Sequence, residues 1–273
     1  MQALFDLIDW QEPWLAQLRH FAEPITASKD WRCALNEVAT QNGLSNHRGQ
    51  QIKFVPQADL PARMAYEQFI SESGCVPTRD NLHDFFNALI WLAFPLVKRQ
   101  LNALQAGEIA RQQAEDSIGI QQVRGAKRDA ATLFDENAAA MVVRSDAAGR
   151  SIADRLRHHQ WTDVFFRDRV SFVANCSILL IGHALIEKLV TPYKAITAHS
   201  LILEADDDFF ASGADQQMAW VDAVLSAQIQ REPFASTLFT PLPVMGVPGW
   251  QEKQDLLFYG DEKVFRPQRR NCR

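Results

Sequence analysis

The chain lacks most of the features that would name a reaction at once. It has only 4 cysteines, at positions 33, 75, 176 and 272, and none stand in CxxC spacing. That argues against a zinc ribbon and against a disulfide scaffold, and it suits a reducing, cytoplasmic setting. There is no excess of positive charge: 28 Lys+Arg against 33 Asp+Glu leave a net charge of -5, so no global basic field points to nucleic acid. There is no Gly-x-x-x-x-Gly-Lys loop, no Gly-x-Gly-x-x-Gly and no Gly-x-Ser-x-Gly elbow. No long unbroken hydrophobic run is present either. The most apolar stretch, 170–190, is interrupted by Asn175, His183, Glu187 and Lys188, so it reads as buried core of a soluble protein and not as a membrane span. The opening Met1-Gln2-Ala3-Leu4-Phe5-Asp6 has no basic segment and meets an acid at once, which is not expected of a signal peptide.

What the chain does have is aromatic bulk. With 17 Phe and 7 Trp in 273 residues, a sizeable aromatic core is expected, and the length fits one large domain. The expected organisation is a single domain over 1–273, with residues 1–45 a helical N-terminal extension and 233–273 an extended tail packed on the body. The most informative stretch runs from Val76 to Pro95, which reads as a capped helix that is apolar nearly all round, with His83, Asp84 and Asn87 set into it. A helix of that kind belongs in a core, where its polar groups must be satisfied.

The spacing predicts further elements in order. A helix over about 14–22 should stop before Pro24, and Ser28 should cap the next helix, which ends at Gly43. Residues 51–56 alternate like a strand, 60–73 return to helix ended by Gly74, and 96–114 form a helix with Lys98, Asn102 and Gln105 along one side. Residues 115–127 read as a polar loop. Residues 130–143 read as a β-hairpin, turning at Asp135-Glu136-Asn137. Helices follow over 146–160, 161–169, 182–189 and 214–231, while 170–181 fits a strand or a helix start. The expected fold class is α+β, mainly helical with a small antiparallel sheet drawn from 51–56, 130–143 and parts of 170–203.

Four segments then carry a resemblance. They are residues 76–91, Arg128-Asp129-Ala130 with Phe134-Asp135-Glu136, Gly182-His183-Ala184-Leu185 with Glu187-Lys188, and Pro241-Leu242-Pro243-Val244 with Gly249-Trp250 and Phe265-Arg266-Pro267. From about residue 50 onward the chain resembles an uncharacterised bacterial family catalogued as a domain of unknown function, number 3025. The resemblance implies a soluble bacterial protein and transfers no reaction, cofactor or catalytic residue. The chain has Ala138 where the resemblance implies a glycine after Asp-Glu-Asn, which weakens the tight-turn reading there.

Three constellations could carry chemistry. His83, Asp84 and Asn87 share helix faces one turn apart. His183 and Glu187 stand at i, i+4, a spacing that puts a nitrogen and a carboxylate on one side of a helix, as a divalent ion needs. Arg128-Asp129 and Asp135-Glu136 offer a cation and carboxylates for acid–base work. Each also has a plain structural explanation: a buried network, a core histidine held by an acid, a solvated turn. Arg124, Lys127 and Arg128 beside Gly125 could grip a phosphate or simply line an exposed loop. His199 could join a site only if the fold returns it, and Glu204 to Asp208 fit a capping or solvated loop. The expected function is a divalent-metal-dependent hydrolase acting on an unknown small molecule or phosphoester. His83, Asp84, His183 and Glu187 would be metal ligands, Asp129 or Asp135 the base, and Arg128 the charge stabiliser. The rival is a non-catalytic binding or scaffold protein in which the same residues form a network. Convergence of three or more of them on one solvent-reachable pocket separates the two.

Overall fold

Short helix α1 (Gln2–Phe5) and a 3-10 turn at Ala16–Leu18 lead into α2 (Arg19–Thr26) and α3 (Trp31–Gln41). The computed structural model describes residues 1–117, 125–231 and 234–268. Helix α2 runs through Pro24 instead of stopping before it, dropping one backbone rung near its end. The cap of α3 is Asp30, not Ser28: its carboxylate accepts the Cys33 N–H at 3.0 Å. Gly43 follows the C-cap of α3 with φ 61°, the left-handed conformation a helix end calls for.

Strand β1 (Lys53–Pro56), helix α4 (Tyr66–Ser73) and strand β2 (Cys75–Thr78) come next, and the two strands pair in parallel as a sheet of their own. Helix α5 (Leu82–Ala93) starts at Asn81, whose side chain accepts the Asp84 N–H at 2.7 Å. It buries Phe85, Phe86, Leu89, Ile90 and Trp91, each contributing about 1.5–3 kcal/mol in transfer free energy. Pro95 then opens α6 (Pro95–Ser117), which has no backbone donor to lose at its first position.

The expected hairpin over 130–143 is not formed. Helix α7 (Ala126–Asn137) runs directly into strand β3 (Ala138–Arg144). The alanines and the early Asp129 favour the helix, and Asp135-Glu136-Asn137 is its last turn instead of a β-turn. The loop expected at 115–127 is also revised: α6 extends to Ser117 and α7 begins at Ala126, while residues 118–124, including Arg124, lie outside the described residues.

Helix α8 (Ala147–Arg157), a π-helical turn at Asp163–Arg167 and helix α9 (Arg169–Asn175) precede β4 (Cys176–Leu180) and α10 (His183–Lys188). The apolar run 170–190 is thus cut into helix, strand and helix. It is not all core, since Val170 is 85% and Val173 62% exposed. Strand β5 (Thr197–Ala205), helices α11 (Asp207–Ala211) and α12 (Ala214–Gln230), strand β6 (Thr240–Pro243) and helix α13 (Leu256–Tyr259) complete the order. The larger sheet runs β4-β3-β5-β6, with β3 parallel to β5 and antiparallel to β4, and β5 antiparallel to β6. The fold is therefore mainly helical α+β as expected, but its sheets are mixed, and β1 belongs to neither edge of the larger one. One cluster of buried apolar side chains extends from Phe5 to Phe265. Among the described residues, no helix is long and apolar enough to cross a membrane.

Antiparallel pairing sets Ala139 opposite Leu180, so the start of β3 and the end of β4 lie at the same end of the sheet. There α7 enters β3 and α10 leaves β4. Gly182 allows the two junctions to meet: a Cβ on it would lie 2.4 Å from the Ala138 nitrogen and 2.5 Å from Asn137 backbone atoms. Helix α10 packs against both α5 and α7. The N-terminal segment braces it, with Trp14 Nε1 donating to the Leu189 carbonyl at 3.2 Å and the Gln17 amide bonding the backbone of Leu180.

Candidate metal centre

Three helix ends converge on one pocket of about 320 Å³. The first turn of α5 brings His83 and Asp84, the last turn of α7 brings Asp135 and Glu136, and the first turn of α10 brings His183. The two imidazoles face each other, Nε2 to Nε2, at 3.1 Å, with their rings near perpendicular. Glu136 Oε2 is 3.7 Å from His183 Nε2. These three side chains can each offer an atom so that all lie within 4.8 Å of one another. Two nitrogens at about 2.0–2.1 Å from one tetrahedral ion would stand about 3.3 Å apart, close to the separation seen.

The groups behind these three orient them. His83 Nδ1 lies 2.9 Å from Glu187 Oε2, so a proton held there leaves Nε2 with its lone pair toward His183. His183 is buried, and burial pushes its pKa down to about 4, so the ring is neutral at pH 7 and able to ligate. Its Nδ1 faces Asp135, with Oδ2 at 3.8 Å, and makes no hydrogen bond.

Asp135 is fixed by Lys98, whose Nζ donates to Oδ1 at 2.5 Å and to Asn87 Oδ1 at 2.8 Å. Asn87 in turn donates to the Tyr66 hydroxyl at 3.0 Å. Burial pushes the Asp135 carboxyl up, but Lys98 and His183 outweigh it and hold it below its ordinary value. Glu136 and Glu67 are moved the other way, by burial first and by the neighbouring Asp135 charge second.

The residues singled out from sequence fare unequally. His83, Asp84, Asp135 and His183 line the same pocket. Asp84, though, is occupied by Arg79, accepting its backbone N–H at 2.6 Å and its guanidinium at 3.0 and 2.9 Å. Glu187 stands on the far side of His83 from His183. Asp129 is exposed in the first turn of α7, and neither it nor Arg128 is part of the pocket wall. His199, on β5, lies against Phe239 and is outside it as well. In the acidic run 204–208, Asp206 caps as expected, accepting the Phe209 N–H, whereas Glu204 belongs to β5 and pairs with Arg150.

From sequence, Glu136 falls in a turn, and Lys98, Asn102 and Gln105 form a stripe without a role. That stripe was the available signal. All three are buried, and they reach Asp135, Glu67 and Thr132 respectively. A polar row at i, i+4, i+7 beside Val97 and Leu101 marks a helix facing other polar groups.

Residues 52–269 match the model of a family described as protein of unknown function, DUF3025. The chain belongs to that family. No curated protein and no solved structure matches it. The DUF3025 match takes in every residue of the pocket, whereas Trp14 and Gln17, which brace α10 and β4, lie before it. In this DUF3025 chain the site offers two imidazole nitrogens and a carboxylate, a donor set suited to a divalent transition ion.

Proposed function

We propose that the chain is a divalent-metal-dependent hydrolase whose ion is held by His83, His183 and Glu136. The observation that carries this reading is the approach of the two Nε2 atoms to 3.1 Å beside the Glu136 carboxylate. Two histidines and a glutamate make a three-ligand set of the kind that leaves a further coordination position for water or substrate. Glu187 orients His83 from behind, and Asp135, locked by Lys98, shapes the electrostatics at His183. Asp84 and Glu187, counted as ligands from spacing alone, become supporting groups because each is engaged by another side chain. Asp135 is a poor base, since its ion pair with Lys98 stabilises the charged form.

The reading as a non-catalytic scaffold accounts well for the chain Tyr66–Asn87–Lys98–Asp135, which is a satisfied network. It gives no reason for two imidazoles and a carboxylate to share one half-open pocket. Thermal melts with and without Zn²⁺ test the proposal. The wild type should gain several degrees with excess Zn²⁺, and His83→Ala, His183→Ala and Glu136→Gln should each abolish the gain. An unchanged gain in all three variants would refute it.

A further inference from the structure

We infer that the group cleaved in this pocket is an uncharged ester or amide carbonyl, not a phosphoester, and that Glu67 is the carboxyl that carries the proton. This rests on the metal-site reading above. The observation behind it is the pairing of charges around the pocket. The wall holds four carboxylates, Glu67, Asp84, Asp135 and Glu136, against one guanidinium, Arg79. Arg79 is bidentate on Asp84, and the ammonium of Lys98 is held between Asp135 and Asn87. Arg128 acts on Glu67 electrostatically but is not part of the wall.

With two neutral imidazoles and Glu136, a divalent ion keeps one net positive charge. A phosphomonoester would add about two negative charges to a pocket whose wall cation is already engaged, whereas sites for phosphoryl groups place Arg or Lys on the phosphate oxygens. A neutral carbonyl adds none, and its oxygen needs only the ion.

Glu67 is set apart from the other wall carboxylates. Asp84 has Arg79, Asp135 has Lys98, and Glu136 faces His183. Among the described residues Glu67 has no ion-pair partner; its Oε2 accepts one hydrogen bond, from Asn102 Nδ2 at 2.7 Å. Such a carboxylate can take and return a proton without breaking an ion pair, and burial, with the Asp135 charge beside it, raises its pKa. In the hydrolytic step a water gives a proton to Glu67 and bonds through oxygen to the carbonyl carbon. The bond from that carbon to the leaving oxygen or nitrogen then breaks, and Glu67 returns the proton to the leaving atom.

The test uses the full chain loaded with Zn²⁺ and two probes, acetohydroxamic acid and inorganic phosphate, with affinities read by calorimetry. The hydroxamic acid is a carbonyl compound that must hand its O–H proton to a base as it binds the ion. It should bind at least tenfold more tightly than phosphate. Glu67→Gln should weaken it at least tenfold while leaving the Zn²⁺ affinity within threefold, and Glu67→Asp should recover part of the loss. Phosphate binding as tight as the hydroxamate, no hydroxamate binding by zinc-loaded protein, or an unaltered affinity in Glu67→Gln would each overturn the inference. Absence of Zn²⁺ binding by the wild type would instead refute the metal-site reading itself, and the Zn²⁺ titration shows it separately. If Glu67→Gln does not fold, Glu67→Asp carries the comparison, an unaltered hydroxamate affinity in it overturning the inference, and tight phosphate binding by the wild type does so on its own.

Discussion

Replacing Lys98 with methionine keeps an unbranched apolar stem and removes the ammonium at the centre of the polar network. Lys98 and Asp135 are 5% and 12% exposed, so solvent screens the pair little. Without Lys98, Asp135 stays buried beside Glu136 and Glu67 with no cation, and Asn87 Oδ1 loses its donor. Breaking a buried pair from one side costs about 3–5 kcal/mol. The ammonium also sits 5.6 Å above the Trp91 ring, an interaction of about 0.5–1 kcal/mol. Lys98→Met in metal-free protein at pH 7 should therefore lose about 3–5 kcal/mol in urea denaturation, with an unchanged m-value. Asp135→Asn should also destabilise, because it strands the ammonium. The double variant should be more stable than the sum of the two losses by about 1.5 kcal/mol or more. A loss below about 1 kcal/mol for Lys98→Met, or additivity within about 0.5 kcal/mol, would show that the network does not hold the site as described.

Other perturbations probe separate joints. Asn87→Leu removes the acceptor for Lys98 and the donor to Tyr66, and should cost about 1–3 kcal/mol in the same denaturation assay; a neutral result would contradict its place in the network. Gly182→Ala pushes a methyl into the Ala138 and Asn137 backbone, so it should cost about 1–3 kcal/mol and weaken Zn²⁺ binding by displacing His183 from Glu136, which calorimetry reads. Asp222 accepts the Leu96 and Val97 N–H groups at the start of α6, and burial pushes its pKa up to about 6. Its folded value lies above the unfolded one, so its contribution is complete below about pH 4 and is lost as pH rises through about 6. Asp222→Asn should remove that fall of roughly 3 kcal/mol from the stability–pH curve, and an unchanged curve would refute the assignment.

The capped helix at 82–93 was legible because Asn81, the apolar run and Pro95 all agree on it. His83 and His183 stood out as polar heads in apolar segments, and they do meet. What the sequence could not convey was which partner each would take. The reach of Asp84 to Arg79 depends on the backbone turn before α5, and that of Glu187 to His83 depends on α10 packing against α5. Glu136 was misread because Asp-Glu-Asn between apolar flanks has the composition of a turn. Only the adjacency of the β3 start and the β4 end, fixed by strand register, turns that helix end into a pocket wall. The parallel pairing of β3 with β5 was hidden for the same reason, since register across intervening helices leaves no local signal.

The most direct measurement is the anomalous difference map of a Zn²⁺-soaked crystal at the zinc edge. One strong peak is expected at about 2.0–2.1 Å from His83 Nε2 and His183 Nε2 and about 2.0–2.2 Å from a Glu136 oxygen, with Glu187 on the opposite nitrogen of His83. A peak held by Asp84 or Glu187 instead, or stoichiometric zinc bound elsewhere with these three side chains unchanged, would contradict it.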